Sequence, residues 1–142
     1  MTPAQKKLVQ TTWTQVVPIA DIAAAMFYDR LFQIDPTTRP LFRATDMTQQ
    51  RKKLVQVLAV AVGGLDKLDT LMPTVEDLGR RHAGYGVKDE HYDSVGAALL
   101  WTLEQGLGTA WNAEIKTAWT EVYGLLSGVM RRAQREAMAA AA

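Results

Sequence analysis

The sequence predicts an all-α fold of six to eight helices, and two observations support this prediction. Apolar residues recur at spacings of three and four along most of the chain, as they do on the buried face of a helix. No run of β-branched residues alternates with the period of two that a strand requires. The length of 142 residues and the hydrophobic content of 48% fit one domain, residues 1–142, with a well-buried core.

Turn and cap residues divide the N-terminal half of the chain into three helices. Thr2 begins the first helix with a capping-box pattern, and Pro18 separates this helix from the second. Asp35 ends the second helix, because the residue before a proline is pushed out of the helical conformation. The segment 36–42 has room for only a turn or two of helix, and a third helix is predicted over Gln49–Leu65.

Three further helices are predicted in the C-terminal half. The fourth is expected to begin at Pro73, the fifth near Asp89, and the sixth after Asn112, which is a good N-cap. The residues from about 131 to 142 turn polar and then become all alanine. This tail could extend the sixth helix but is expected to bury little and to fray.

Composition and charge argue against several classes of function. A net charge of +1, from 16 basic and 15 acidic residues, does not fit a nucleic-acid partner that is bound by phosphate neutralisation. The absence of cysteine excludes disulfides, thiolate metal sites and covalent haem attachment through C-x-x-C-H. We find no secretory signal, no tract long enough to cross a membrane and no common nucleotide-binding or hydrolase motif. A cytoplasmic protein without membrane association is therefore expected.

His82 is the candidate metal ligand. It shares the apolar face of the fourth helix with Leu71, Val75 and Leu78, just before the glycines that are expected to end that helix. A histidine aimed into a core near a helix end suits a buried metal centre. The alternative is a core histidine that is satisfied by a backbone carbonyl. With His91 as the only other histidine, a multi-histidine zinc or copper site is poorly supported.

Polar residues on two other helices are expected near the same interior. Tyr28 and Gln50 lie close to apolar stripes of the second and third helices, and Phe42 lies on the corner between them. A flat apolar cofactor with one protein ligand needs an imidazole on one side, a small polar cluster on the other and an aromatic side chain at its edge. The alternative for Tyr28 is an amphipathic packing residue.

Several stretches of the chain resemble the globin family. They are FYDRLFQIDPTTRPLF (27–42), QRKKL (50–54) and LGRRHAGYGV followed by HYDSVGAALL (78–100). These stretches look most like bacterial single-domain haemoglobins and the globin domain of flavohaemoglobins. LGRRHAGYGV and the AW-x-x-x-YG of residues 118–124 are also similar to neuroglobin. The resemblance covers about residues 4–133 and implies a single globin domain, with helices packed around a haem pocket.

The resemblance implies non-covalent haem b, with His82 as the iron ligand. Tyr28 and Gln50 would be the distal residues that face the bound gas, and Phe42 would stack on the haem. The other cofactor contacts that it implies are Lys53, Leu54, Leu78, Arg81, Val87, Tyr92 and Val95. Lys53 and Arg81 would neighbour the propionates, although their charges are explained as well by simple surface exposure.

The function that the resemblance implies is reversible dioxygen binding by an oxygen carrier or scavenger, with nitric oxide and carbon monoxide as other ligands. The alternatives are a nitric oxide dioxygenase that works with a separate reductase, since no flavin domain follows, a redox or gas sensor, or a haem-free structural protein. A monomer or a homodimer is expected. Gln134 stands where flavohaemoglobins have a glutamate, and its neutral amide should weaken electron donation through the proximal histidine. His91 is expected at the surface, with no role in the chemistry.

Overall fold

Six α-helices joined by short turns make up the chain, which the computed structural model describes over residues 1–141. They are α1 (Pro3–Val16), α2 (Ala20–Ile34), α3 (Met47–Gly63), α4 (Leu68–Ala83), α5 (Asp89–Leu107) and α6 (Ala113–Ala141). Short 3₁₀ helices lie at Val17–Ile19, Pro36–Phe42 and Gly108–Ala110. Residues 1–141 contain no strand, so the all-α prediction and the expected number of helices are confirmed.

Most helix ends lie where the cap residues predict them. The Thr2 hydroxyl accepts from the Gln5 backbone N–H at 3.1 Å, and the Gln5 side chain accepts in return from the Thr2 N–H. The Asn112 side chain accepts from the Ile115 N–H at 2.9 Å and caps α6. α2 ends directly before Asp35, as the following proline requires. Local hydrogen bonding therefore explains these boundaries without help from tertiary packing.

The start of α4 differs from the prediction. This helix begins at Leu68 rather than at Pro73, which lies inside it. The Lys67 carbonyl accepts from the Leu71 N–H at 3.1 Å and closes the first turn. A proline inside a helix removes one backbone hydrogen bond. Pro73 is exposed and close to the N-terminal end, so water can satisfy the carbonyl of Asp69, which is exposed as well.

The C-terminal part of α6 buries more than the sequence predicted. The helix continues to Ala141, and both Ala133 and Gln134 are buried. Gln134 makes tertiary hydrogen bonds to α5 and to the turn before it. Residue 142 of the predicted tail lies outside the described residues, and fraying of the last turns stays a prediction.

The core is enclosed mainly by α1, α2, α5 and α6. Trp119 of α6 is 1% exposed and packs against Trp13 of α1, with ring centroids 6.5 Å apart. The Trp119 indole N–H donates to the Thr12 hydroxyl at 2.9 Å. This bond matters because an unpaired buried donor costs about 1–3 kcal/mol.

A close backbone crossing joins α4 to α6 at Gly79. A Cβ atom added there would lie 2.5 Å from the Met130 carbonyl oxygen and 2.7 Å from the Met130 Cα. Both are backbone atoms, so a larger residue at this position could not be accommodated by a change of rotamer. The absence of a side chain on Gly79 thus sets how closely the helix that carries His82 approaches α6.

We expect the substitution Gly79→Ala to destabilise the protein by roughly 2–3 kcal/mol, at the upper end of the usual cost of overpacking, because α4 must move away from α6. The free energy of unfolding from urea titration measures this change. Gly128→Ala on α6 is the matched control, since a Cβ added there meets nothing within 4 Å. The control should be neutral or stabilise the helix by up to about 1 kcal/mol. Similar effects of the two substitutions would contradict the proposed crossing.

Candidate functional site

The candidate site is the space between α3 and α4. α3 packs against α1 and α2, whereas α4 packs against α6, and the two helices make little contact with each other. Several predicted cofactor contacts around this space are half-buried, namely Phe42, Leu54, Leu78, His82, Val87 and Val95. Apolar side chains that are neither packed away nor fully exposed are typical of the walls of a cleft for an apolar ligand.

His82 lies on the last turn of α4, with one ring nitrogen engaged by the protein. Its Nδ1 is 2.7 Å from the Leu78 carbonyl, one turn earlier, and donates to it. The proton is therefore on Nδ1, and Nε2 keeps its lone pair. Burial lowers the pKa of His82 from its ordinary value, and the bond to Leu78 partly offsets this. The ring is thus held in the neutral form and tautomer that a metal ligand requires.

His82 can be both a core histidine bonded to a backbone carbonyl and a metal ligand. The hydrogen bond to Leu78 is the one that a structural core histidine would make, yet it occupies only Nδ1. Nε2 has no hydrogen-bond partner among the described residues. Glycines end the helix immediately after His82, as predicted: Gly84 caps α4, and Gly86 has a φ of 79° in the left-handed region.

Tyr92 of α5 lies beside His82 but does not hydrogen-bond to it. The two ring centroids are 6.3 Å apart. The Tyr92 hydroxyl donates instead to Gln134 Oε1 at 2.5 Å. Burial raises the pKa of Tyr92 to about 12, so this phenol keeps its proton at neutral pH. The hydroxyl of Tyr123 in turn donates to the Tyr92 carbonyl at 2.5 Å, which fixes α5 against α6.

Tyr28 and Gln50, the predicted distal residues, come together as a hydrogen-bonded pair. Gln50 Nε2 donates to the Tyr28 hydroxyl oxygen at 3.1 Å. Because the phenol accepts in this pair, its own O–H remains available for a ligand. Burial raises the pKa of Tyr28 above its ordinary value, and the bond from Gln50 partly offsets this, so the donor is retained at neutral pH.

An aromatic cluster fixes the Tyr28 ring. Its centroid lies 4.9 Å from that of Phe27, 6.2 Å from Phe32 and 5.4 Å from Phe42, and the contacts with Phe27 and Phe42 are edge-on. Edge-to-face pairs of this kind add to the free energy of simple burial. The structure therefore groups Tyr28, Phe42 and Gln50, as the sequence predicted.

Lys53 and Arg81, the predicted propionate neighbours, are both exposed. Lys53 lies on α3. The Arg81 guanidinium pairs with the Asp77 carboxylate one turn earlier on α4, at 2.6 Å. Leu54 lines a small apolar cavity of about 30 Å³ together with Phe27 of α2 and Leu99 of α5.

The expectation that His91 lies at the surface is wrong. This residue is 3% exposed, and both of its ring nitrogens are engaged. Nδ1 accepts from the Lys88 backbone N–H at 2.9 Å, and Nε2 is 3.1 Å from the Thr37 hydroxyl. Its position three residues after Lys88, at the start of α5, is the signal that was missed. A side-chain acceptor there commonly returns to the first N–H of a helix.

Arg131 is a second residue whose placement was not anticipated. Its guanidinium lies 5.1 Å from the centroid of the Tyr92 ring and pairs with the carboxylates of Asp93 and Asp89, at 2.7 and 3.7 Å. It holds α6 against the first turns of α5 by a cation–π contact and by charge. Nothing in the local pattern of α6 distinguishes Arg131 from a solvated arginine.

The all-helical fold thus carries a half-buried histidine on α4 that is bonded through one ring nitrogen, and a hydrogen-bonded tyrosine–glutamine pair that joins α2 and α3. The globin family model matches residues 25–130, and the chain belongs to the globin family. A bacterial globin from Campylobacter jejuni has the same fold, with a TM-score of 0.83 over 95% of this chain and 97% of that chain, at 22% identity.

Relatives of known sequence include two types of globin. The flavohemoprotein of Bacillus subtilis is 30% identical over 123 residues, which are 85% of this chain and 31% of that protein. The flavohemoprotein of Bordetella parapertussis is 31% identical over all of this chain and 36% of its own length. The neuroglobin of Tetraodon nigroviridis is 29% identical over 89% of this chain and 88% of its own length. The chain thus spans about a third of each flavohemoprotein.

Family membership makes this chain a haem-iron protein that binds small gaseous ligands. Among the described helices, none has both the length and the apolar character that crossing a bilayer demands.

Proposed function

We propose that the chain binds haem b without covalent attachment and binds dioxygen reversibly, with His82 as the iron ligand and Tyr28 as the distal donor. The observation that carries this proposal is the state of the His82 ring. Leu78 fixes the proton on Nδ1 at 2.7 Å, so that Nε2 keeps its lone pair for a metal ion.

The residues around the cleft fit a haem group. The half-buried apolar side chains of α3, α4 and α5 offer a contact surface, while the single neutral imidazole offers the one nitrogen ligand that such a group requires. Haem, when bound, supplies an iron that coordinates small gases reversibly. Apart from His82, the candidate contacts are Phe42, Lys53, Leu54, Leu78, Arg81, Val87, Tyr92 and Val95.

Tyr28 and Gln50 supply the selectivity among gases. Dioxygen held at this position carries partial negative charge on its outer atom, and the Tyr28 O–H can donate to it while Gln50 orients the phenol at 3.1 Å. Carbon monoxide is less polar and gains less. In a site from which water is excluded, such a bond contributes about 1–3 kcal/mol.

The optical spectrum of the purified protein supplied with haem tests this proposal. We expect a Soret band that saturates at one haem per chain, and a further shift when the reduced protein is placed under carbon monoxide. A folded chain that gives no Soret band with haem in excess would contradict the proposal.

Nitric oxide dioxygenation is a second candidate function, and the likeness to flavohemoproteins favours it. Dioxygen and nitric oxide combine to nitrate with the uptake of one electron, so each turnover requires a reductant that this chain's own residues do not supply. The oxygenated protein, mixed with nitric oxide and a flavin reductase, should then form nitrate through many cycles. Formation of a single equivalent, followed by a stable ferric protein, would instead favour oxygen storage or scavenging.

A further inference from the structure

One peptide unit, between Val87 and Lys88, is held at both ends by side chains from two different helices. Its carbonyl, on Val87, accepts from Gln134 Nε2 of α6 at 2.6 Å. Its N–H, on Lys88, donates to His91 Nδ1 of α5 at 2.9 Å. We propose that His91 and Gln134 together are positioning residues that clamp this peptide, and so place the Val87 side chain against the cofactor.

The clamp holds the part of the turn that backbone hydrogen bonds leave free. The turn between α4 and α5 begins with two bonds back to α4, from the Gly84 and Tyr85 N–H groups. Within the described residues, the Val87–Lys88 peptide makes no backbone hydrogen bond. The geometry of this peptide therefore depends on the side chains of His91 in α5 and Gln134 in α6. Val87 is half-buried, and its contact with the cofactor rests on the proposed function.

Gln134 has a chemical reason to be an amide rather than a carboxylate. It accepts from the Tyr92 hydroxyl through Oε1 and donates to the Val87 carbonyl through Nε2. A glutamate at neutral pH could accept from Tyr92 but has no hydrogen for Val87, and it would set a negative charge against a carbonyl oxygen. Gln134→Glu should therefore release the Val87 carbonyl and open the clamp, and not only increase electron donation through His82.

His91 extends the clamp to the corner at residues 36–42. Because Nδ1 accepts from Lys88, the ring proton lies on Nε2 and is donated to the Thr37 hydroxyl at 3.1 Å. The Thr37 hydroxyl donates to the Asp35 carboxylate, which also accepts from the Ser94 hydroxyl at 2.7 Å. The turn after His82 is thus tied to the short 3₁₀ helix that ends at Phe42, on the distal side.

Exchange of the Lys88 amide proton, measured by NMR on the haem-loaded ferrous protein under carbon monoxide, tests the clamp directly. His91→Leu should speed this exchange roughly fivefold to tenfold, because it removes the acceptor. His91→Gln, whose side-chain oxygen can still accept, should restore most of the protection. Gln134→Glu, which hardly changes the side chain's volume, should also speed the exchange and keeps the test informative if His91→Leu does not fold.

The rate of haem transfer to an excess of a foreign apoglobin gives a second measurement. His91→Leu and Gln134→Glu should each raise this rate about tenfold. The double variant should raise it little beyond the larger single effect, since both substitutions release the same peptide. Full additivity, or unchanged Lys88 exchange in all variants, would overturn the clamp. If the unmodified chain took up no haem, the proposed function would fail, whereas Lys88 exchange measured on the haem-free protein would still test whether His91 and Gln134 hold the peptide.

Discussion

Replacing His82 by glycine is expected to abolish histidine ligation of haem and to leave a cavity that free imidazole can fill. The cost in haem affinity should exceed the roughly 10- to 100-fold that loss of an outer-shell partner of a metal ligand causes, because the ligand itself is removed. Added imidazole should restore the ligated spectrum, since the cleft wall around position 82 is unchanged. Optical titration of haem, with and without imidazole, measures both effects.

His91→Gln is the matched control for this experiment, because it removes the only other imidazole of the chain. The control should keep the spectrum of a histidine-ligated haem. Two results would contradict the assignment: a His82→Gly protein with the ligation of the unmodified chain, or a loss of ligation in His91→Gln that matches the loss in His82→Gly.

Replacing Tyr28 by phenylalanine is expected to raise the dioxygen dissociation rate by about 5- to 150-fold, which corresponds to the 1–3 kcal/mol of one hydrogen bond in a dry site. The substitution removes only the hydroxyl and keeps the ring in its aromatic cluster with Phe27 and Phe42. Gln50 would lose the phenol oxygen to which it donates, but this residue is only half-buried and its amide can turn away from the site toward solvent. Flash photolysis and rapid mixing give the gas rates.

Carbon monoxide is the internal control for Tyr28→Phe, because its dissociation rate should change far less than that of dioxygen. Tyr85→Phe is the external control: Tyr85 is 58% exposed, and its hydroxyl makes no hydrogen bond within residues 1–141. That substitution should leave both rates unchanged. Equal changes in the two gas rates for Tyr28→Phe would remove Tyr28 as the donor.

The helices could be predicted from the sequence because their signals are local. A capping box at Thr2, an Asp-Pro pair at Asp35 and a side-chain cap at Asn112 each act within a few residues of the boundary that they determine. Pro73 shows the limit of such reasoning. A proline is tolerated within the second turn of a helix when the carbonyl it leaves unpaired is on the surface, and exposure cannot be read with certainty from periodicity.

Helical periodicity places Tyr28 and Gln50 near the same interior, but only the family resemblance assigns both residues to one distal site. Tyr28 and Gln50 are 22 positions apart, and no periodic pattern brings their side chains to 3.1 Å. The Tyr92–Gln134 and Val87–Gln134 bonds span still longer separations, so Gln134 could be matched to a family position but its partners could not be foreseen. His91 was misplaced because it follows the charged Asp89 and Glu90, whereas one of its partners is Thr37, more than 50 residues away.

The reach of α6 past residue 130 bears on how this chain can be shortened. The span matched by the family model ends at residue 130, and a protein trimmed to that limit would keep Tyr28, Gln50 and His82. It would lose Arg131 and Gln134, and with them the anchors of Tyr92 and of the Val87 carbonyl. Any minimal version for engineering should therefore retain the chain at least through Gln134, even though no residue beyond Met130 is expected to touch the gas.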